Sequence, residues 1–383
     1  MINKINKTSN ELSILYVITG LRLGGAEKLL LLTSKHLQAT YSCRIKIVYF
    51  DPYAPMKKLF DDADITTVQM NRNLLTIPRL IKIILKEQFQ VIHTHLIHAD
   101  IFGRTAAILA LPFHKHVIFT TVHDVHWFRW AKGVRFSVIR WIDLLQTIPS
   151  ATHIIAISEA VKELLIHKQL FKPEKIEVLY NAIEISDVKG KKMTAGPSMR
   201  CLYLGRLVRE KNIPCLLRAI SRLRDISISL TIVGEGEEEA RLRDLAEQLA
   251  ISEKVNFVGA TLEPEKYYQE HDIFILPSTY EGLGIVVLEA FRNRLPVIAA
   301  NVHGISELLA DNRGILFEND NAEELAECIR TLLDNPALRQ EYGQRGYDYV
   351  KQHHDIREYV RLLNYFYSKA LTANEQEAAN TYH

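Results

Sequence analysis

Short apolar runs alternate with stretches of helical periodicity along most of the chain. The runs "LSILYVIT", "RIKIVYF", "ITTVQ", "VIHTH", "HVIFTTV", "THIIAIS" and "IEVLYN" have strand length, and amphipathic segments such as "GGAEKLLLLTSKHLQ" fall between them. Apolar strands separated by helices predict a parallel sheet covered on both faces. The pattern breaks at Ser186–Ser198, "SDVKGKKMTAGPS", a Gly-, Lys- and Ser-rich stretch with the composition of a linker. It then restarts with "RCLYLG", "ISLTIVG", "VNFVG", "DIFILP", "PVIAA" and "GILF". The expectation is α/β, with two doubly wound domains facing across a cleft: residues 1–185, a linker over 186–198, and residues 199–355. Residues 356–371 carry Val360, Leu363, Phe366, Tyr367 and Leu371 at helical spacing. That helix is expected to pack back on the first domain, and the polar tail 372–383 to be disordered.

Composition narrows the class. The 383 residues are 48% hydrophobic and 24% charged, as in soluble globular proteins. The net charge of +2 hides an asymmetry: residues 1–185 hold 23 Lys and Arg against 15 Asp and Glu, and the rest of the chain is net acidic. The basic half is therefore expected to meet something anionic. Four scattered cysteines, Cys43, Cys201, Cys215 and Cys328, show no CxxC spacing, which argues against a disulfide framework or zinc ribbon and fits a reducing cytosol. The N-terminus lacks the apolar region of a signal peptide, and no run of about 18 apolar residues exists to span a bilayer.

The chemistry concentrates at strand ends. In "STYEGLGIVVLEAFRNRLP", a strand over Ile273–Leu276 ends at Pro277 and a helix begins near Ile285. Glu281 lies in the loop between them, and Gly282 and Gly284 permit a tight turn there. The helix N-terminus, with its free N–H groups and glycine turn, is a ready anion site. Glu289, one turn inside, is a carboxylate in an apolar run, and a buried charge needs a partner. Two readings fit: ribose hydroxyls of a ligand whose phosphate sits at the helix N-terminus, or a Glu that snorkels or pairs with Arg292 or Arg294. In "YLGRLVREKNIP", Arg206, Arg209 and Lys211 follow a strand end, a placement that suits a diphosphate but also a solvated loop. "IVGEGEEEARL" turns at Gly234 and Gly236 without completing a P-loop or GxGxxG. In the first half, Gly24 and Gly25 sit between a strand and a helix, where they suit either a backbone N–H facing a ligand or close packing, and His123 follows a strand end, so it should face the cleft.

Taken in order, these motifs resemble the retaining glycosyltransferases of family 4, which have the GT-B fold of two Rossmann-like domains. The resemblance covers nearly the whole chain. Its most specific element is E-x7-E, here "EGLGIVVLE", accompanied by "GGAEKLL", "TVHD", "VLYNAIE", "LGRLVREKN", "IVGEGEEEARL" and "GILFENDNAEELAECI". It implies that Glu289 holds the ribose of a nucleoside-diphosphate sugar and that Glu281 touches the transferred sugar. Arg206 and Lys211 would neutralise the diphosphate, capped by amides at Gly284, Ile285 and Val286, with Gly24 and Gly25 closing over the phosphates or the acceptor and Gly234 at the donor site. His123 would reach the sugar from the opposite domain. A UDP-sugar is favoured on the resemblance alone, with a glycan or lipid-linked saccharide as acceptor. Tyr180-Asn181-Ala182 replaces the usual Pro-Asn-Gly, so Asn181 receives no role.

No cofactor or metal is expected, since no Asp-x-Asp pair ends a strand, and activity should survive chelation. Two other readings stay open: a sugar-nucleotide epimerase, which shares the two-domain architecture, and a non-catalytic sugar-nucleotide-binding subunit. His93, His95 and His98 in "HTHLIH" lack an accompanying Cys or carboxylate pattern and are taken as structural or acceptor-facing rather than metal ligands. In "WFRWAKGVRFSVIRW", Trp130, Val134, Val138 and Trp141 fall on one helical face, which fits a core stripe and not nucleic-acid binding. Its basic residues, Arg129, Lys132 and Arg135, fit equally a solvated face or reversible docking on an anionic cytoplasmic leaflet. The expected location is the cytoplasm, with peripheral membrane contact.

Overall fold

The computed structural model describes residues 11–123, 152–167, 173–186 and 198–380. Each of the thirteen apolar runs forms a strand. Seven make the first sheet: β1 (Ser13–Ile18), β2 (Arg44–Tyr49), β3 (Thr66–Gln69), β4 (Val91–His95), β5 (Val117–Val122), β6 (Thr152–Ala156) and β7 (Ile176–Val178), in the order 3-2-1-4-5-6-7. Six make the second: β8 (Ser198–Leu204), β9 (Ser227–Val233), β10 (Val255–Gly259), β11 (Ile273–Leu276), β12 (Val297–Ala300) and β13 (Ile315–Phe317), in the order 10-9-8-11-12-13. All pairings between these strands are parallel, with Tyr16 of β1 opposite Ile47 of β2 and His93 of β4. The central strands are buried along their length, as their apolar runs require. In each sheet the order reverses at the first strand, between β1 and β4 and between β8 and β11, where ligands of doubly wound sheets bind.

The chain crosses between the sheets twice, and the crossings lie side by side. Ile183 N donates to His354 O at 2.9 Å, and Ile356 N donates to Ile183 O at 3.0 Å. Residues 187–197 of the expected linker lie outside the described residues, as do 124–151, which include the Trp127–Trp141 segment. The last helix, Ile356–Asn380, packs on the Gly25–Tyr41 helix of the first domain. Its Tyr367 reaches into that core, where its hydroxyl lies 3.1 Å from the Tyr16 hydroxyl and 2.6 Å from His93 Nδ1.

One expectation is corrected. The tail is not disordered from residue 372, because the helix continues to Asn380. Low hydrophobicity only says that "TANEQEAAN" joins no core. Its Ala, Glu and Gln are good helix formers that extend an existing helix at little cost, and Asn374 Nδ2 donates to His116 O at 3.3 Å.

Candidate functional site

A cleft of about 1040 Å³ lies between the two sheets. Gly25, His123, Arg206, Lys211, Gly234, Glu281, Gly284, Ile285, Val286 and Glu289 all line it. The topology explains this convergence. Each of these residues follows the carboxyl end of β1, β5, β8, β9 or β11, and those ends from both sheets border the one cleft.

The second domain contributes the anion-binding side. Gly284 caps the Ile285–Arg292 helix with φ 83°, a conformation costly for a residue with a Cβ. A Cβ on Gly282 would come 2.3 Å from the His123 carbonyl oxygen, so that position must stay bare for the two domains to meet. Gly25 lies against Ile285 across the same seam. The helix thus opens onto the cleft with its N-terminal amides unblocked by side chains, where its dipole favours negative charge.

Three carboxylates organise the cations. Lys211 Nζ donates to Glu281 Oε1 at 2.6 Å, and both side chains are largely buried. Arg206 Nη2 donates to Glu210 Oε1 at 3.3 Å, while the Arg206 side chain remains 61% exposed in the cleft. Its carbonyl accepts from Tyr203 OH at 3.0 Å, which fixes the backbone after β8. Glu289 is buried and has two protein partners: Lys28 Nζ donates to Oε1 and Tyr268 OH donates to Oε2 at 2.9 Å.

That arrangement corrects the alternatives considered for Glu289. Arg292 pairs with Glu265, and Arg294 Nε donates to Gln344 Oε1, so neither serves it. Nor does a ligand alone account for its burial. Lys28, on the helix after Gly24–Gly25, supplies the counter-charge from the opposite domain. A carboxylate offers about four lone-pair sites, so capacity remains on the cleft side for further donors.

His123 brings the first domain's chemistry. Burial drives its pKa down to about 4, so the imidazole is neutral at ordinary pH. Its Nε2 lies 2.9 Å from His95 Nδ1. His93 sits one strand register deeper, between Tyr367 OH at 2.6 Å and Thr121 Oγ1 at 2.8 Å. Among the described residues no group of three His, Cys, Asp or Glu is placed to hold a metal ion.

Glu27 and Asn181 carry signals that motif reading passed over. Glu27, three positions past Gly24, is buried with its carboxylate folded back over Gly24. Burial pushes its pKa up to about 7, against the pull of the Glu27 and Arg22 amides and of the Arg206 and Arg22 charges. Asn181 is buried and lines the cleft, and its Oδ1 has no partner among the described residues.

Comparison with known proteins gives a consistent picture. Residues 23–187 match the family model "Glycosyltransferase Family 4", and residues 188–349 match "Glycosyl transferases group 1". A Campylobacter jejuni N-acetylgalactosaminyltransferase acting on a diphospho-undecaprenol-linked saccharide is 30% identical over 55% of this chain and 60% of that protein. The match thus spans less than two thirds of that relative. An Escherichia coli α-1,3-galactosyltransferase, named for UDP-Gal and a GlcNAc-diphosphoundecaprenol, is 25% identical over 72% of this chain and 73% of that one. Among solved structures, Anabaena HepE in complex with UDP and glucose superposes with a TM-score of 0.82 at 18% identity, covering 94% of this chain and all of that one.

Proposed function

We propose, from the premise that this chain belongs to glycosyltransferase family 4 and has the GT-B fold, that it moves a hexosyl group from a nucleoside-diphosphate sugar to a hydroxyl of a glycan or lipid-linked saccharide, with retention of configuration. UDP is the favoured nucleotide, in line with the UDP complexes among the structural relatives. The observation that carries the reading is the convergence in one cleft of a bare helix N-terminus, Arg206, Lys211 and Glu289, faced by His123. That set matches a diphosphate, its ribose and its sugar in chemistry and order.

In this reading the second domain binds the donor and the first receives the acceptor. The diphosphate sits at the amides of Gly284, Ile285 and Val286, with Arg206 and Lys211 against its oxygens. Ribose hydroxyls donate to the free lone pairs of Glu289. Glu281, held by Lys211, accepts from sugar hydroxyls, and His123 meets the sugar from the other side. The acceptor oxygen bonds to the anomeric carbon on the face from which the diphosphate departs. The bond between that carbon and the phosphate oxygen breaks, and the acceptor proton passes to the leaving phosphate. Removing one cation that stabilises this departing charge costs on the order of 10²-fold in rate. No metal is needed, because fixed cations and a helix dipole do that work.

The test has two parts. A thermal-shift panel of UDP, GDP and their sugars should raise the melting temperature most with UDP compounds. NMR of the product should show the donor's anomeric configuration kept. An inverted product refutes the retaining mechanism, an epimerised donor refutes transfer, and nucleotide binding without turnover across many acceptors points to a binding subunit.

Reversible contact with an anionic leaflet completes the proposal. It is supported by the basic first domain and by Leu74 and Leu75, 96% and 56% exposed, between Arg72 and Arg79. Protein that pellets with anionic but not neutral vesicles, and less so in salt, supports it. Protein that stays in the supernatant throughout refutes it.

A further inference from the structure

His123 does not stand alone: three imidazoles run in contact from the cleft, His123 to His95 to His93. His95 and His123 have ring centroids 5.3 Å apart, and His93 and His95 lie stacked at 4.4 Å. All three are held neutral by burial. A neutral imidazole carries one N–H, and the short contact between His95 Nδ1 and His123 Nε2, 2.9 Å, needs one proton on one side.

The rest of His95 decides which side. Its Nε2 is buried and has no partner among the described residues. A proton there would strand an N–H donor in the core, and orphaned buried donors are rarer and costlier than unused acceptors. His95 therefore carries its proton on Nδ1 and donates to His123 Nε2. His123 must then be protonated on Nδ1, the ring nitrogen that the pair leaves free for a ligand. A second feature supports a built arrangement. Leu96, directly after His95, adopts φ 70° and ψ 149°, at the edge of a region nearly reserved for glycine. The chain accepts this strain at the turn that ends β4, directly beside His95.

We infer that His95 is a positioning residue, which fixes His123 as the Nδ1–H tautomer so that its free ring nitrogen is a hydrogen-bond donor rather than an acceptor. The catalytic part of this inference rests on the proposed transfer reaction. A sugar hydroxyl is both donor and acceptor, so the tautomer determines which of its lone pairs or protons His123 engages. The tautomer itself is independent of that reaction and can be read without it.

The experiment is long-range 1H–15N correlation on histidine-labelled protein, with the His123 signals assigned by their loss in His123→Gln. The wild type should show Nδ1 protonated and Nε2 bare. Two variants then separate donation from packing. In His95→Asn the amide nitrogen takes the place of Nδ1 and still donates; in His95→Asp only an acceptor remains. The Asn variant should keep the Nδ1–H pattern and recover most of the transfer rate. The Asp variant should move the proton of His123 to Nε2, or protonate both nitrogens, and lose on the order of 10²-fold in kcat, with affinity for free UDP unchanged. A wild-type His123 protonated on Nε2 overturns the inference. So do Asn and Asp variants that agree in both spectrum and rate. A protein that transfers no sugar leaves the wild-type spectrum as a valid test, so the two failures are distinguishable.

Discussion

Lys28 and Glu289 hold the two domains to each other through a charge pair whose strength follows from its burial. The Glu289 side chain is 4% exposed and the Lys28 side chain 34%. Lys28→Met keeps the apolar stem and removes the charge, which leaves the Glu289 carboxylate with Tyr268 as its single hydroxyl donor at 2.9 Å. Breaking a fully buried pair costs about 3–5 kcal/mol, and losing an exposed one about 0–1 kcal/mol. With one partner buried and the other one-third open, the loss should be about 2 kcal/mol. The reverse change, Glu289→Gln, leaves a lysine that can reach water and should cost about 1 kcal/mol. The double variant no longer buries an unpaired carboxylate, so it should be no less stable than Lys28→Met. A double-mutant cycle should therefore give a coupling of about 1–2 kcal/mol. Urea unfolding of the four proteins, followed by circular dichroism at fixed pH, measures it. Higher salt should trim the coupling only slightly, since the carboxylate is shielded from solvent. A coupling below about 0.5 kcal/mol, or Lys28→Met as stable as the wild type, refutes the claim that Lys28 is what makes Glu289 tolerable in the core.

Two further changes test the buried carboxylate beside the cleft and the division of roles within it. Glu27 has a folded pKa of about 7 against an ordinary value of 4.5, so the native state keeps a proton that the unfolded chain releases. Stability from this group is complete below about pH 4.5 and is lost as pH rises through about 7, a total of roughly 3 kcal/mol. Glu27→Gln should flatten that slope between pH 5 and pH 8 in urea unfolding, and parallel slopes for the two proteins would count against it. Glu289→Ala should lose affinity for free UDP as well as turnover, whereas Glu281→Ala should bind free UDP and lose turnover. Calorimetry decides this pair, and equal loss of affinity in both sinks the division between a ribose-binding and a sugar-binding carboxylate.

The fold was legible because its code is local. Each strand is an apolar run between glycine- or charge-bearing turns, and "IFIL" before Pro277 marks its own end. The positions lining the cleft were legible for a related reason: a doubly wound sheet puts whatever follows a strand on one edge, so Arg206, Gly234 and Glu281 had nowhere else to go. The helical tail was missed because polar composition reports the absence of a core partner and not the absence of a helix. Asn181 is illegible from its motif because its flanks depart from the family pattern, although its backbone position still carries it to the cleft.

Partners across the cleft are a different kind of information. Glu289 and Lys28 are 261 residues apart in the chain, and nothing in "GIVVLEAF" names a lysine on the helix after Gly24–Gly25. Spacing did hold half of the answer: Gly25, Lys28 and Leu32 recur at three and four residues and so share one helical face, the face that the structure turns to the cleft. What spacing cannot supply is the relative placement of two separately wound sheets. Once that is known, Lys28 with Glu289 and Lys211 with Glu281 become one arrangement, in which each buried carboxylate is held by a cation that also faces the cleft. Such a cleft has its cations fixed before an anion arrives. Less ordering would remain for binding to supply, and in the proposed transfer the positive charge would already stand where a leaving diphosphate needs it.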